Sequence, residues 1–389
     1  MKRESGELLV TRSYEETVNA FVPSPLPPTS PILDPTSYVA LNEKAERALD
    51  RLSGMSGLVA SSEWLVYSAI RKEALLTSQL EGTQATLTDI FDEEAGLAVT
   101  NVDDVEEVTN YLRAFKYVRE ELNSPQGLPV CVRLLKKAHE VLLTGVRGAV
   151  KQPGEIRTTQ NWIGGTRPGN AVYVPPPPEK VGELLSDLEK FIHESQPSLP
   201  PLVRIALVHA QFETIHPFLD GNGRIGRLLI AMLLEEWKLL REPLLYVSGF
   251  LKRHQKHYYH CLTEIRSNGN WEQWVEFFLE AVHLSAEEAE QSIIKLATLI
   301  SDDRKKALAL PTTTMHTMRL FEFLPTMPKL TVDRAIELLD VTYPTANAAV
   351  KGLVEAGILV ETTGRSRGRS YAYERYVAIL RNDHQPHTP

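Results

Sequence analysis

Residues 216–227 read His216-Pro217-Phe218-Leu219-Asp220-Gly221-Asn222-Gly223-Arg224-Ile225-Gly226-Arg227. Gly-Asn-Gly after an Asp cannot be the interior of a helix or strand, so this is a loop between two elements. Before it, Ile205, Val208, Phe212 and Ile215 recur at helical spacing; after it, residues 225–240 are apolar enough for a buried helix. The loop therefore joins two helices. That excludes the dinucleotide reading of Gly221-x-Gly223-x-x-Gly226, which needs a preceding strand in a βαβ unit. No G-x-x-x-x-G-K-[ST] phosphate loop occurs elsewhere.

The residue types give this loop a chemistry. Gly221, Asn222 and Gly223 tolerate φ > 0 and can turn successive N–H groups into one concavity, with the positive end of a helix starting beside Arg224. Together they form an anion cradle. Arg224 and Arg227 lie three apart on the first turn, so both guanidinium forks can reach one polyphosphate. Asp220 is a hard oxygen ligand suited to a Mg²⁺ that phosphates also bind. His216, at a helix end, suits a general base.

Outward from the loop the chain reads mainly α. Helical patterns cover 37–82, 102–123, 129–144, 178–194, 200–215, 252–265 and 271–284, and a polar helix runs over 285–310. One interruption, NWIGGTRPGNAVYVPPPP from Asn161 to Pro178, places two β-prone runs around a turn and predicts a hairpin. Phe21 to Pro35 holds six prolines and predicts an extended strap across the molecule's own core. From Pro311 the composition changes, and helix–helix–helix–hairpin is the winged-helix order, with Tyr343–Ala356 as recognition helix and Gly364–Arg369 as wing.

Every specified position of HPFLDGNGRIGR resembles the Fic family signature HxFx[D/E]GNGRxxR, and PGEIRTTQNWIGG…VYVPPPP looks like that family's flap. The resemblance implies a Fic-type helical core with a β-hairpin flap that transfers AMP from Mg·ATP to a Ser, Thr or Tyr hydroxyl of a target protein, releasing pyrophosphate. In it His216 deprotonates the hydroxyl, and Asp220 holds Mg²⁺. Gly221, Asn222, Gly223, Arg224, Ile225, Gly226 and Arg227 bind the phosphates, with Ile163, Gly164 and Gly165 of the flap beside them, and residues 161–175 dock the target as an added strand. Tyr258 and Tyr259 resemble the adenosine-pocket tyrosines, although helix packing accounts for them equally. Thr77-Ser78-Gln79-Leu80-Glu81-Gly82 resembles the inhibitory motif [S/T]xxxE[G/N]; Glu81, at the negative end of a helix, would pair with Arg227 and hold the wild type inactive. The expected division is an extended Pro-rich segment at 1–36, a helical region with the inhibitory helix at 37–115, the catalytic core at 116–285, a connecting helix at 286–310 and a winged helix at 311–389. Two other readings stay open: AMP removal or transfer of another nucleotide-derived group on the same fold, and an ATP-sensing winged-helix transcription regulator.

Other features bound the answer. The 389 residues carry 50 acidic and 42 basic side chains, a net charge of −8, so any nucleic-acid binding must be local. Residues 311–389 hold nine Lys/Arg against eight Asp/Glu, which leaves DNA contact through Arg365, Arg367 and Arg369 no better supported than protein docking or dimerisation. His254, His257 and His260 are spread around a helix at spacings that suit no metal. Two unpaired cysteines and the lack of a leader or spanning segment predict a cytoplasmic protein without membrane contact. A homodimer and self-modification complete the expected partners.

Overall fold

The computed structural model describes residues 3–13, 16–57, 62–145, 150–365 and 368–382. The chain opens with an antiparallel hairpin, β1 (Gly6–Ser13) and β2 (Glu16–Pro23), with Leu8 opposite Phe21 and Val10 opposite Asn19. This corrects the expected extended segment at 1–36. Val18 and Ala20 are buried in alternation with exposed Thr17 and Asn19, a strand period that the following prolines masked. The strap after β2 does pack on the molecule itself. The guanidinium of Arg3, only 6% exposed, donates to the carbonyls of Pro31, Ile32 and Gly269 and pairs with Glu272.

Helix α1 (Pro35–Met55) starts where the Asp34 carboxylate accepts the Thr36 N–H at 2.9 Å and Pro35 presets φ. It is followed by α2 (Glu63–Leu80), α3 (Leu87–Glu94), α4 (Val102–Asn123) and α5 (Val132–Leu142). The short α3, capped by a Thr86/Asp89 box, was not foreseen. The expected hairpin at 161–178 shrinks to one bridge, Ile163 opposite Tyr173, and a 3-10 turn at Pro168–Asn170. Gly164 and Gly165 both sit at positive φ, and Pro175–Pro178 have no N–H to extend a ladder.

Prolines open α6 (Pro178–Ile192) and α7 (Pro201–Ile215). Residues 202–215 of α7 are all buried, so it is the central helix, hydrophobic around nearly its whole circumference. Then come α8 (Asn222–Glu236), α9 (Ser248–Arg253), α10 (Gln255–Asn268) and α11 (Trp271–Ala309). Helix α11 joins the two helices expected at 271–284 and 285–310 into one of 39 residues, about 58 Å long.

The C-terminal part runs α12 (Met315–Phe323), β3 (Lys329–Thr331), α13 (Val332–Leu339), α14 (Tyr343–Glu355), β4 (Val360–Glu361), β5 (Ser370–Ala372) and α15 (Glu374–Asn382), with sheet order β3-β5-β4. Strand β3 and helix α15 add to the expected winged-helix order. Of the expected wing, residues 366–367, and with them Arg367, lie outside the described residues. Buried Asp303 of α11 accepts from the Tyr373 hydroxyl and pairs with Lys306 and Arg375, and the Tyr376 hydroxyl bonds Ser68 Oγ at 2.7 Å. The C-terminal unit thereby rests on both α11 and α2. Among the described residues no helix is long and apolar enough to cross a membrane.

Candidate functional site

The loop between α7 and α8 is held by its own side chains. His216 ends α7 in the left-handed conformation, at φ 50°, and turns the chain out of the helix. The side chain of Asn222 closes the loop on itself: its Oδ1 accepts the Phe218 N–H at 2.9 Å and its Nδ2 donates to the Phe218 carbonyl at 2.8 Å. Asn222 is therefore committed to loop shape, and any contact it makes with an anion uses its backbone N–H. Phe218, 1% exposed, pins the loop from below, stacked on His139 with centroids 3.8 Å apart and planes 8° apart.

Four side chains that the sequence reading did not single out brace this loop. Because the Gly154 N–H donates to His139 Nδ1, the other ring nitrogen carries the proton and donates to the Asp220 carbonyl at 3.0 Å. Burial holds His139 neutral, with its pKa pushed down to about 4. Arg157 donates to the carbonyls of His216, Pro176 and Ile215, while its own N–H donates to the Pro217 carbonyl. It rivets the base of the flap to the end of α7, as does Asn161, which donates to the Phe218 carbonyl. His209 donates from Nδ1 to the Gly226 carbonyl and accepts the Tyr258 hydroxyl at Nε2, both at 2.9 Å. Each of these contacts joins residues far apart in sequence, so no spacing rule could have flagged them.

The cradle differs in detail from its sequence reading. Helix α8 begins at Asn222, not beside Arg224, and of the loop glycines only Gly221 takes positive φ, at 75°. Gly223 is needed for room: a Cβ there would lie 2.2 Å from Glu81 Oε1. The side chains of Arg224 and Arg227 stay on the loop side of α8, whereas Ile225 is fully buried and Gly226 faces α7, where a Cβ would lie 2.2 Å from Glu213 Oε1. Those two can serve a phosphate at most through backbone. Tyr258 is 1% exposed with its hydroxyl taken by His209, so it is a packing residue; Tyr259 beside it is 45% exposed. Ile163 is half-buried and Gly164 and Gly165 are exposed at the flap turn.

The charges at the mouth are already paired. Arg227, 1% exposed, donates from Nε to Thr77 Oγ1 at 2.6 Å and from one terminal nitrogen to the Thr77 carbonyl and to Glu81 Oε1, the latter at 2.5 Å. Thr77 and Glu81 are one helical turn apart, so the last turn of α2 grips this guanidinium twice. Burial raises the Glu81 carboxyl, but Arg227, with Arg224 and His216 behind it, pulls it below the ordinary value. Arg224 reaches Glu107 at 3.5 Å and Asp220 at 3.8 Å. Burial, aided by the charge of Arg157, drives His216 down to about 4, against the pull of the Glu213 carbonyl and the Glu81 carboxylate. Its Nδ1 is buried, so Nε2 is the nitrogen able to take a proton from outside, and at neutral pH it is unprotonated.

Asp220 is the one loop carboxylate, half exposed and capping its own loop through the Gly221 N–H. Among the described residues no cluster of three metal-ligating side chains occurs. A cation here would take most of its ligands from phosphate and water, the way Mg²⁺ is held, so the donor set fits that ion.

Comparison with known proteins bears on the family and the fold. The Fic/DOC family N-terminal model matches residues 39–120, and the Fic/DOC family model matches residues 129–234. A curated protein of Drosophila grimshawi named Protein adenylyltransferase Fic is 27% identical over 252 residues, covering 64% of this chain and 48% of its own length. One of the same name from Culex quinquefasciatus is 25% identical over 242 residues, with 61% and 45% covered. The chain thus spans about half the length of the curated relatives it matches. Among solved structures, a Fic family protein from Desulfovibrio desulfuricans G20 superposes with TM-score 0.57 at 22% identity, covering 88% of this chain and 97% of that one. Fic-1 from C. elegans does so with TM-score 0.51 at 21% identity, covering 66% and 74%. These two likenesses speak to the fold.

Proposed function

Because this chain belongs to the Fic/DOC family, we propose that it is a protein adenylyltransferase, transferring AMP from ATP to a protein hydroxyl and held inactive by its own helix α2. The observation that carries this reading is the site's composition: a neutral His216 at the end of α7 stands beside a left-handed Gly221, the first N–H groups of α8 and two guanidiniums. His216 Nε2 takes the proton of the incoming hydroxyl, whose oxygen attacks the α-phosphorus in line; the P–O bond to pyrophosphate breaks. With the Gly221 N–H held by Asp220, the N–H groups of Asn222 and Gly223 at the start of α8 would meet the oxygens on which charge develops, and Arg224 and Arg227 would hold the departing phosphates. Mg²⁺ held by Asp220 would neutralise phosphate charge.

The pairing of Arg227 with Glu81 supports the inhibitory half of the proposal. A guanidinium occupied by Thr77 and Glu81 cannot also orient a γ-phosphate, so nucleotide could bind only in an unproductive pose. The flap supports a choice of docking edge. Its 171–174 side is taken by this chain: the Phe21 N–H donates to the Val174 carbonyl, Val18 and Ala20 pack on Val174, and Glu16 accepts from the Gly169 N–H. A target strand would use the 161–165 side. The exposure of Tyr259 supports choosing it, over buried Tyr258, as the tyrosine that lines an adenine. The test is the leaving group: Glu81→Gly incubated with ATP and cell protein releases pyrophosphate, whereas release of orthophosphate alone contradicts the proposal.

A further inference from the structure

A second acidic side chain, Glu213, acts electrostatically on Arg227. Glu213 lies on the last turn of α7, three residues before His216, and is 9% exposed. Its Oε1 is buried and meets no hydrogen-bond donor among the described residues. The site is shaped to receive it. Glu213 Oε1 occupies the space that a side chain on Gly226 would fill, 2.2 Å from an ideal Cβ, so the last glycine of the loop motif makes room for this carboxyl group. An unsatisfied buried carboxyl oxygen is costly, and its persistence at the end of the central helix needs a reason.

We infer that Glu213 is a positioning residue for Arg227: it stays protonated while Glu81 or a nucleotide phosphate neutralises the guanidinium, and ionises to hold Arg227 in place when neither is present. The inference rests on the reading of the site as a nucleotide site. The groups acting on Glu213 are Arg227 from α8, Glu81 from the end of α2, Arg266 and the hydroxyl-bearing Tyr258 and Tyr259 from α10, with His209 one turn back on α7. Burial raises its carboxyl to about 7; Arg227 and Arg266 favour the ionised form and Glu81 opposes it. Withdrawing Glu81 removes the opposing charge and leaves Arg227 uncompensated, so Glu213 gives up its proton. Binding a polyphosphate to Arg227 restores the negative charge, and Glu213 takes a proton back. ATP binding to the uninhibited enzyme is therefore linked to uptake of one proton, and affinity falls as pH rises.

The experiment compares full-length Glu81→Gly with Glu81→Gly/Glu213→Gln, an isosteric change that keeps the volume and removes the titration. The KM for ATP is followed from pH 6 to pH 8.5. Titration of the nucleotide itself is common to both proteins, so the difference between the profiles reports Glu213. The expected result is a KM that rises up to about tenfold per pH unit in the single variant over part of this range and about twofold or less in the double variant. Calorimetry of ATP binding to Glu81→Gly in two buffers of different ionisation enthalpy gives a second readout that needs no change at Glu213, with proton uptake expected at pH 7. Parallel profiles, or no proton uptake by a protein that binds ATP, overturn the inference alone. Absence of ATP binding in both proteins overturns the nucleotide reading and this inference with it.

Discussion

Thr77→Val isolates one half of the grip on Arg227. The Thr77 hydroxyl accepts from Arg227 Nε at 2.6 Å, and both side chains are almost fully buried, so the bond is charge-assisted and shielded from water. Valine keeps the shape of threonine and leaves the 3.2 Å bond to the Thr77 carbonyl in place. A hydrogen bond to a charged group contributes about 1.5–3 kcal/mol, and its loss falls on the state in which α2 is docked. With α2 withdrawn, Nε faces water or phosphate and loses nothing. The docked state is then destabilised relative to the open one by that amount, which raises the open population by about 10- to 150-fold as long as it remains the minor state. The assay is the initial rate of label transfer from ATP into protein at saturating nucleotide. Thr77→Val should fall between wild type and Glu81→Gly, with thermal stability slightly lowered. A Thr77→Val rate equal to wild type, alongside an active Glu81→Gly, would refute the argument that the hydroxyl helps hold the brake.

Other predictions follow from the same contacts. Asn222→Ala removes two buried hydrogen bonds to Phe218 and should cost about 1–3 kcal/mol of unfolding free energy in urea, with transfer lost beyond what stability explains. Phe218→Ala empties the space beneath the loop and should cost about 3–5 kcal/mol by the same measurement. Buried His139, His209 and His216, with pKa values pushed by burial to about 4, 3 and 4, bind protons in the unfolded chain below its pKa of about 6.5 while the folded chain does not. Glu213, raised to about 7, does the reverse. The balance at pH 5 is about two protons taken up on unfolding, so the histidine contribution is complete only above about pH 6.5 and is lost as pH drops toward 4, while the Glu213 contribution is lost as pH rises through about 7. The slope of unfolding free energy against pH checks this, and His209→Phe should reduce it by about one proton.

The loop at 216–227 was legible because each of its residues meets a separate demand: a base, a left-handed turn, an anion site and two guanidiniums. The pairing of Glu81 with Arg227 was legible for a related reason, since a carboxylate at the negative end of a helix needs a cation. The start of α8 was misplaced by two residues because Asn222 and Gly223 have turn propensity, which the helix overrides once Asn222 is locked onto Phe218. Hairpin β1–β2 escaped notice because its alternation is short and abuts six prolines, and its burial comes from residues far along the chain, among them Val174, Ala171, Trp162 and Tyr173. Arg157, His139 and Glu213 act through carbonyls, a ring face and a gap left by glycine, none of which has a local sequence signature.

The most direct measurement is label transfer into protein from ATP carrying radiophosphorus at the α or the γ position, with wild type, Glu81→Gly and His216→Ala/Glu81→Gly. The account predicts covalent α-label that is weak in wild type, strong in Glu81→Gly and absent when His216 is also replaced. Transfer of γ-label, or α-label that survives the loss of His216, would contradict it.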